Sequence, residues 1–432
     1  MEAARRRVSE ALSVYWERRL VAVFFMGFVS GLPFYLSGAT LSIWLTEVGV
    51  SLTDIGLFAL VATPYTLKFL WAPALDRVSL PVLARRLGRR RAWMLVIQLA
   101  LMAAIVALGS STPESTPQVT AALALVVALC SASQDVVIDA YRIDVLDDDQ
   151  QGAGAAMTQA GYRLGLIVSG ALALYLASVV AWSVVYAIMA AFVLVGIVTT
   201  LLAPVPRDPD ERPVDSGGWL EKLAENVIEP FLELFRRRGV RIALAILGFI
   251  LLFKLGDAFA NVMANPFYIL LGFTKIQVAT ASKIFGIAAT LLGVFTGGVL
   301  VKRLGVLRCL LLGGVLQMAS NLMFAALAAV GPSYGFLFAT VGVENFSAGV
   351  GSAAFVAYLS LLCNASYTGT QYALFTSLMA VGRTWLSSGS GWVAEHTDWV
   401  TFFVISTVVA VPGLVLLVWM IRRLPLDSQR AG

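Results

Sequence analysis

Along most of this chain apolar residues run together rather than alternating with polar ones. Uncharged apolar stretches of about 18 to 25 residues recur from end to end, each long enough as a helix to cross roughly 30 Å of hydrocarbon. They predict helices near 20–46, 53–75, 92–110, 119–141, 153–178 and 181–203, then near 241–266, 276–301, 306–329, 333–361, 371–394 and 399–421. The polar stretch between the two series, with Arg207, Asp208, Asp210, Glu211, Arg212 and Asp215, has no place in lipid and reads as a linker. Barrel strands are set aside, because they would alternate with period two over about ten residues. The expected fold is all-α and integral to a membrane, with about twelve transmembrane helices in two pseudo-symmetric six-helix bundles. Residues 1–203 form the first bundle, 204–238 a cytoplasmic linker and 239–432 the second bundle.

Composition agrees: 59% of the 432 residues are hydrophobic, 13% are charged, and mean hydropathy is +0.83. A soluble chain has too few polar groups at that balance to solvate its surface. The net charge of +5 does not point to nucleic acid, because the basic residues cluster in short loops between apolar runs. One set of alternate loops holds Arg5, Arg6, Arg7, Arg18 and Arg19, then Arg77, Arg85, Arg86, Arg89, Arg90 and Arg91, then the linker, then Lys302, Arg303, Arg308, Arg422 and Arg423. The opposite loops offer essentially Lys275. Retention of basic residues on the cytoplasmic side places both termini and the linker there. The first apolar run exceeds a signal-peptide core and is expected to stay. Cys130, Cys309 and Cys363 suit neither a metal site nor a disulfide framework and are expected to pack. An enzyme is disfavoured, since His396 is the sole histidine and no nucleotide loop is present.

The two halves echo each other in order. Gly49-Val50-Ser51-Leu52-Thr53-Asp54 resembles Gly272-Phe273-Thr274-Lys275-Ile276-Gln277, Leu87-Gly88-Arg89 resembles Leu304-Gly305-Val306, and Gly161-Tyr162-Arg163 resembles Gly382-Arg383. Duplicated bundles enclosing a central site are a common origin of transporters.

Same-direction repeats of six, with Asp76-Arg77 and then Gly88-Arg89-Arg90-Arg91 in the basic loop, resemble the major facilitator superfamily, although the spacer is longer than usual. A narrower likeness lies in Phe69-Leu70-Trp71-Ala72-Pro73-Ala74-Leu75-Asp76-Arg77, Cys130-Ser131-Ala132-Ser133-Gln134-Asp135, Asp144-Val145-Leu146 and Gly152 through Gly165. Phe355 through Asn364 and Gln371-Tyr372-Ala373-Leu374 continue it. Together these resemble the AmpG muropeptide permeases over nearly the whole chain. The resemblance implies proton-driven symport of N-acetylglucosaminyl-1,6-anhydro-N-acetylmuramyl peptides from periplasm to cytoplasm across a bacterial inner membrane. Peptidoglycan recycling and β-lactamase induction would follow. It implies no cofactor beyond the proton gradient, and as partners the muropeptide, protons and the lipid bilayer; a monomer is expected. The related acetyl-CoA transporters share part of the pattern, so acyl-CoA or another anionic amphiphile stays open as cargo.

Ionisable residues within the apolar runs are the sharpest site candidates, because each costs about 2.5 to 3.5 kcal/mol near the bilayer centre on insertion scales. Asp135 and Arg163 come out level, about nine to eleven residues from the turn joining helices four and five, and are expected to pair. Gln134, Gln159 and Tyr162 lie within a helical turn of them. Asp139 and Arg142, at i and i+3, are expected to hold a gate with Asp76 and Arg77. Lys68 either faces the cavity or answers a carboxylate on helix four. Lys254 and Asp257 are spaced to neutralise one another. Glu344 has no charged neighbour on its own helix, and Arg383 lies at comparable depth. Asp135 and Glu344 are the candidate proton carriers. Substrate candidates are Lys68, Gln134, Tyr162, Arg163, Lys254, Asp257, Asn261, Asn265, Tyr358, Gln371, Arg383, Trp385, Tyr35 and Trp44, a set of aromatic faces, amides and cations suited to sugars and peptides. For each aromatic, packing is the competing expectation. Pro33 and Pro266 are expected to bend helices one and seven, and Gly161, Gly165 and Gly170 to allow close helix contact.

Overall fold

The computed structural model describes residues 16–147, 150–205, 229–362 and 368–423, and these contain no strand. Among them twelve helical stretches follow in chain order, nine of them long and apolar enough to cross a membrane. The first six are α1 (Arg18–Glu47), α2 (in pieces from Leu52–Leu57 to Ala72–Arg77), α3 (Arg89–Gly109), α4 (Pro117–Val145), α5 (Gln151–Ile167, continuing to Ala173–Ala177) and α6 (Trp182–Leu202). After a short helix, Glu229–Arg238, come α7 (Val240–Leu270), α8 (Lys275–Leu304), α9 (Val306–Val330), α10 (Tyr334–Leu362), α11 (Thr368–Trp385, continuing to Ser390–His396) and α12 (Trp399–Arg423). The fold is an all-α multi-pass membrane architecture. Two compact units emerge: 1–48 with 67–214, and 49–66 with 215–432.

The sequence echoes have a local cause. Gly49 and Gly272 end α1 and α7 at φ 80° and 103°, and Gly88 and Gly305 open α3 and α9 at φ 78° and 80°. Only glycine takes that left-handed region without strain. The next residues cap helices in the same way: Ser51 accepts from the Asp54 amide at 3.0 Å, and Thr274 accepts from the Gln277 amide at 3.3 Å.

The continuous helix expected over 53–75 is interrupted. Tight 3-10 turns occupy Phe58–Ala62 and Lys68–Leu70. Each contains the residue four before a proline, Leu60 before Pro64 and Phe69 before Pro73, where the proline ring excludes an ordinary helical bond. The other expected bends shift. α1 breaks at Ser37 and Gly38, just beyond Pro33. α7 breaks at Phe253 and Lys254, leaving Pro266 inside an unbroken helix. Prolines persist in membrane helices where neighbouring groups re-satisfy the freed backbone.

Glycines set the helix order in the first unit. A Cβ on Gly27 or Gly31 of α1 would overlap the carbonyl of Thr158 or Tyr162 on α5, and one on Gly161 or Gly165 would overlap that of Phe24 or Phe28. Each helix thus carries a GxxxG pair, and their backbones meet. α1 also packs on α4, whereas α4 and α5 barely touch. In the second unit, Gly293 of α8 and Gly349 of α10 make a similar close approach.

The last carbonyls of α6 are also closed by side chains. Arg91, 7% exposed, donates from Nε to Thr200 O at 2.7 Å and from Nη2 to Leu201 O at 2.6 Å. Arg18 donates to Leu202 O at 3.0 Å. Cations are favoured at a helix C-terminus, where these oxygens lack intrahelical partners.

Candidate functional site

In the second unit one face of α7 presents Lys254, Asp257, Asn261 and Asn265, spaced three, four and four residues apart. Glu344, on α10 and 7% exposed, is their central partner. Asn261 donates from Nδ2 to Glu344 Oε1 at 3.2 Å, and the same nitrogen lies 3.3 Å from Asp257 Oδ1, so one amide spans both carboxylates. Asn345 donates to Glu344 Oε2 at 2.5 Å and accepts from Thr290 Oγ1 at 2.9 Å. Asp257 Oδ2 accepts from Gln317 Nε2 of α9 at 3.3 Å and lies 3.9 Å from Lys254 Nζ, the pairing that the i, i+3 spacing predicted. Lys254 also donates to Ser352 Oγ at 3.2 Å. Lys283 of α8, 6% exposed, donates to Asn265 Oδ1 at 3.0 Å and leaves α8 from a π-helical stretch, Ala279–Phe285. Such stretches frequently mark functional positions.

The charges that act on Glu344 are those of Asp257, Lys254 and Lys283. Two carboxylates and two ammonium groups therefore balance when all are ionised. Arg383 is not a partner of Glu344: it is exposed on α11, and its charge bears on Lys254.

In the first unit Asp135 of α4 is half-buried and accepts from Ser30 Oγ of α1 at 2.6 Å. Lys68 and Asp139 supply the charges that act on it. The expected pair with Arg163 does not form. That expectation treated α4 and α5 as neighbours, but α5 is held to α1 through glycines, and α1 supplies the hydrogen-bond donor instead. Lys68 makes no ion pair with Asp135 within 4 Å among the described residues, although its charge reaches that carboxylate. Gln134 is buried and donates to Val29 O at 3.1 Å.

The other candidates scatter. Asp139 is exposed and makes no ion pair with Arg142 among the described residues, although the spacing allowed one. The charged ties at this end run elsewhere: Arg90 Nε to Asp144 Oδ2 at 3.0 Å, Arg19 Nη1 to Asp147 Oδ2 at 3.1 Å and Gln150 Nε2 to Glu17 Oε2 at 2.7 Å. Carboxylates flanking the turn after α4 take the basic partners because they are within reach of the starts of α1 and α3. The side chains of Asp76, Arg77 and Gln371 lie outside the described residues, as does Cys363. Trp44 is 6% exposed and stacks on Trp182 at 5.8 Å between ring centres. Tyr358 is 1% exposed beside Phe249 at 5.4 Å. Burial on both sides leaves these two rings as packing elements. Tyr35 and Tyr162 are half-buried, and Trp385 is exposed with Nε1 donating to Thr63 Oγ1 at 3.2 Å. No group of three metal-ligating side chains occurs among the described residues.

Ser30, Thr290, Gln317 and Ser352 belong to these networks without being singled out in the sequence, whereas Asn345 is the polar neighbour of Glu344 along its own helix. Lys283 is legible in the sequence only as an ionisable residue in the apolar run 276–301. Neutral polar residues in such runs carry no signal until a carboxylate is seen facing them.

Buried charges linked by amides across several helices, in an all-α membrane fold, define a solute transporter rather than a soluble binding module. Comparisons agree. Residues 23–256 match the Major Facilitator Superfamily. The anhydromuropeptide permease of Escherichia coli K12 is 42% identical over 411 residues, 95% of this chain and 81% of that protein. A transporter of the AmpG group from Rickettsia felis is 32% identical over 412 residues, 95% of this chain and 98% of its own length. The crystal structure of a point mutant of the nucleoside transporter NupG superposes with a TM-score of 0.71 at 14% identity, covering 93% of this chain and 99% of that one. The peptide-transporter-family protein PepTSo gives 0.69 at 13% identity, with 94% and 98% covered, and both show the shared fold. The chain belongs to the major facilitator superfamily and, within it, to the AmpG-type permeases. It is a multi-pass membrane transporter and not an enzyme.

Proposed function

We propose that this transporter carries N-acetylglucosaminyl-1,6-anhydro-N-acetylmuramyl peptides from periplasm to cytoplasm across a bacterial inner membrane, coupled to proton entry by alternating access. Both termini face the cytoplasm, the halves 1–203 and 239–432 act as the two bundles about the linker 204–238, and a single chain suffices. The proposal for the cargo draws on the relative that carries anhydromuropeptide in its name.

The charge balance at Glu344 supports the coupling. With Glu344, Asp257, Lys254 and Lys283 all ionised the cluster is formally neutral. A proton on Glu344 leaves it with one net positive charge, which attracts the free carboxylates of a stem peptide. Proton and anionic cargo then favour each other's binding, and by linkage the coupling is reciprocal. Asn261, exposed beside the two carboxylates, supplies an amide for the peptide or sugar. Asp135, with Ser30 and Lys68, is a second carboxylate able to change protonation during the cycle.

Uptake by energised right-side-out membrane vesicles tests this reading. Labelled muropeptide accumulates when the outside is acidic and stops accumulating when the gradient is collapsed. Uptake indifferent to the gradient removes the coupling, and displacement by acyl-CoA rather than muropeptide removes the cargo.

A further inference from the structure

Away from the polar clusters, the first unit carries a groove of about 530 Å³ between α1 and α6. Its floor is made by two small buried residues, Ala22 and Ala203, 6% and 5% exposed. Phe25, Leu194 and Val198 form apolar walls, at 39%, 48% and 52% exposure. An apolar surface facing lipid is ordinary for this fold, but a concave one beneath a cation is a more specific feature. Arg18 lies at one end, exposed, and gives one N–H to the Leu202 carbonyl at 3.0 Å. A guanidinium has five such donors in a fixed fork, so most of the fork has no partner among the described residues. No carboxylate lines the groove among the described residues.

An apolar slot ending at a cation matches the chemistry of a phospholipid, with a hydrocarbon chain and a phosphate one helical end apart. Basic pockets between membrane helices are established binding places for anionic headgroups. A zwitterionic headgroup also brings a phosphate, but its ammonium is repelled by Arg18. We propose that this groove binds one anionic phospholipid, with an acyl chain laid along α1 and α6 and the phosphate on Arg18. The site is independent of the transported cargo and of the proton reading above.

Native mass spectrometry of the full-length purified protein, titrated with palmitoyl-oleoyl phosphatidylglycerol or phosphatidylethanolamine, tests it. The first phosphatidylglycerol is retained about fivefold better than the first phosphatidylethanolamine, the scale expected for one basic residue near an anionic lipid. Arg18→Gln brings the two to the same level. Ala22→Trp, which fills the floor, removes the preferred site for both lipids; Val198→Trp, on an exposed wall, does the same if Ala22→Trp fails to fold. Equal retention of the two lipids by the native protein overturns the proposal. So does unchanged phosphatidylglycerol binding by Arg18→Gln, or by whichever groove-filling variant folds.

Discussion

The side-chain amide of Asn261 donates to Glu344, Nδ2 to Oε1 at 3.2 Å, across the space between α7 and α10. Because that nitrogen also lies 3.3 Å from Asp257, it joins two carboxylates that would otherwise repel one another. Removing it separates their contributions. Asn261→Ala is expected to lower muropeptide uptake by about tenfold, the effect of losing a hydrogen bond to a charged group. Initial-rate uptake in vesicles checks this, and Asn261→Asp, which adds a third carboxylate, should be worse than Asn261→Ala.

Asp135 accepts its hydrogen bond from Ser30, and the cation whose charge reaches it is Lys68 rather than Arg163, which a double-mutant cycle tests. Asp135→Asn with Lys68→Met should show a coupling of about 0.5 to 3 kcal/mol in thermal stability. Asp135→Asn with Arg163→Met should be additive to within about 0.5 kcal/mol. Coupling to Arg163 alone would contradict the observed helix order.

The contrast between those two cations shows how far the sequence could be read. Twelve helical stretches, their bounds to within a few residues, and the likeness of residues 49–54 to 272–277 are legible because apolar length and turn residues are local signals; the caps at Ser51 and Thr274 are what the structure adds. The Lys254–Asp257 pair was equally legible, since both lie on one helix at i and i+3. Asp135–Arg163 was not, because contacts between helices depend on which helices touch, and that is set by glycines reading as ordinary small residues until their partners are known. Trp44 and Tyr358 have the same character in sequence as cavity aromatics, and only their burial identifies them as packing.

The close approach of α1 and α5 predicts a sharp stability effect. Gly31→Ala places a methyl against the Tyr162 carbonyl and should cost about 1 to 3 kcal/mol, read as a lower Tm in detergent. Gly298→Ala is the control: nothing lies within 4 Å of its Cβ position, so its Tm should hold or rise.

Arg91 closes two carbonyls of α6, and Arg91→Met leaves both without that donor. Thermal unfolding should show a loss of about 1 to 3 kcal/mol. Arg91→Lys should recover only part of it, since an ammonium lacks the planar fork that reaches two oxygens.

Glu395, exposed in the last turn of α11 and beyond the apolar run that ends near 394, provides a pH test. The Thr53 hydroxyl and amide, the latter at 3.0 Å, hold its carboxyl below the ordinary range. A depressed folded-state pKa contributes stability above the unfolded value of about 4.3 that is lost only as pH falls through the folded value. Between about pH 5 and 8 this contact is therefore constant. Glu395→Gln should leave the shape of the uptake–pH profile unchanged across that window, whatever it does to the absolute rate. A changed shape would assign a titration to the wrong carboxylate.

The most direct test concerns Glu344 itself. Glu344→Gln keeps the cluster in the charge state of the protonated form at every pH, so it should bind and exchange labelled muropeptide by counterflow while failing to accumulate it against a gradient. Counterflow preserved and uphill uptake lost is the predicted result. Uphill, gradient-dependent uptake at the native level in Glu344→Gln would contradict the account.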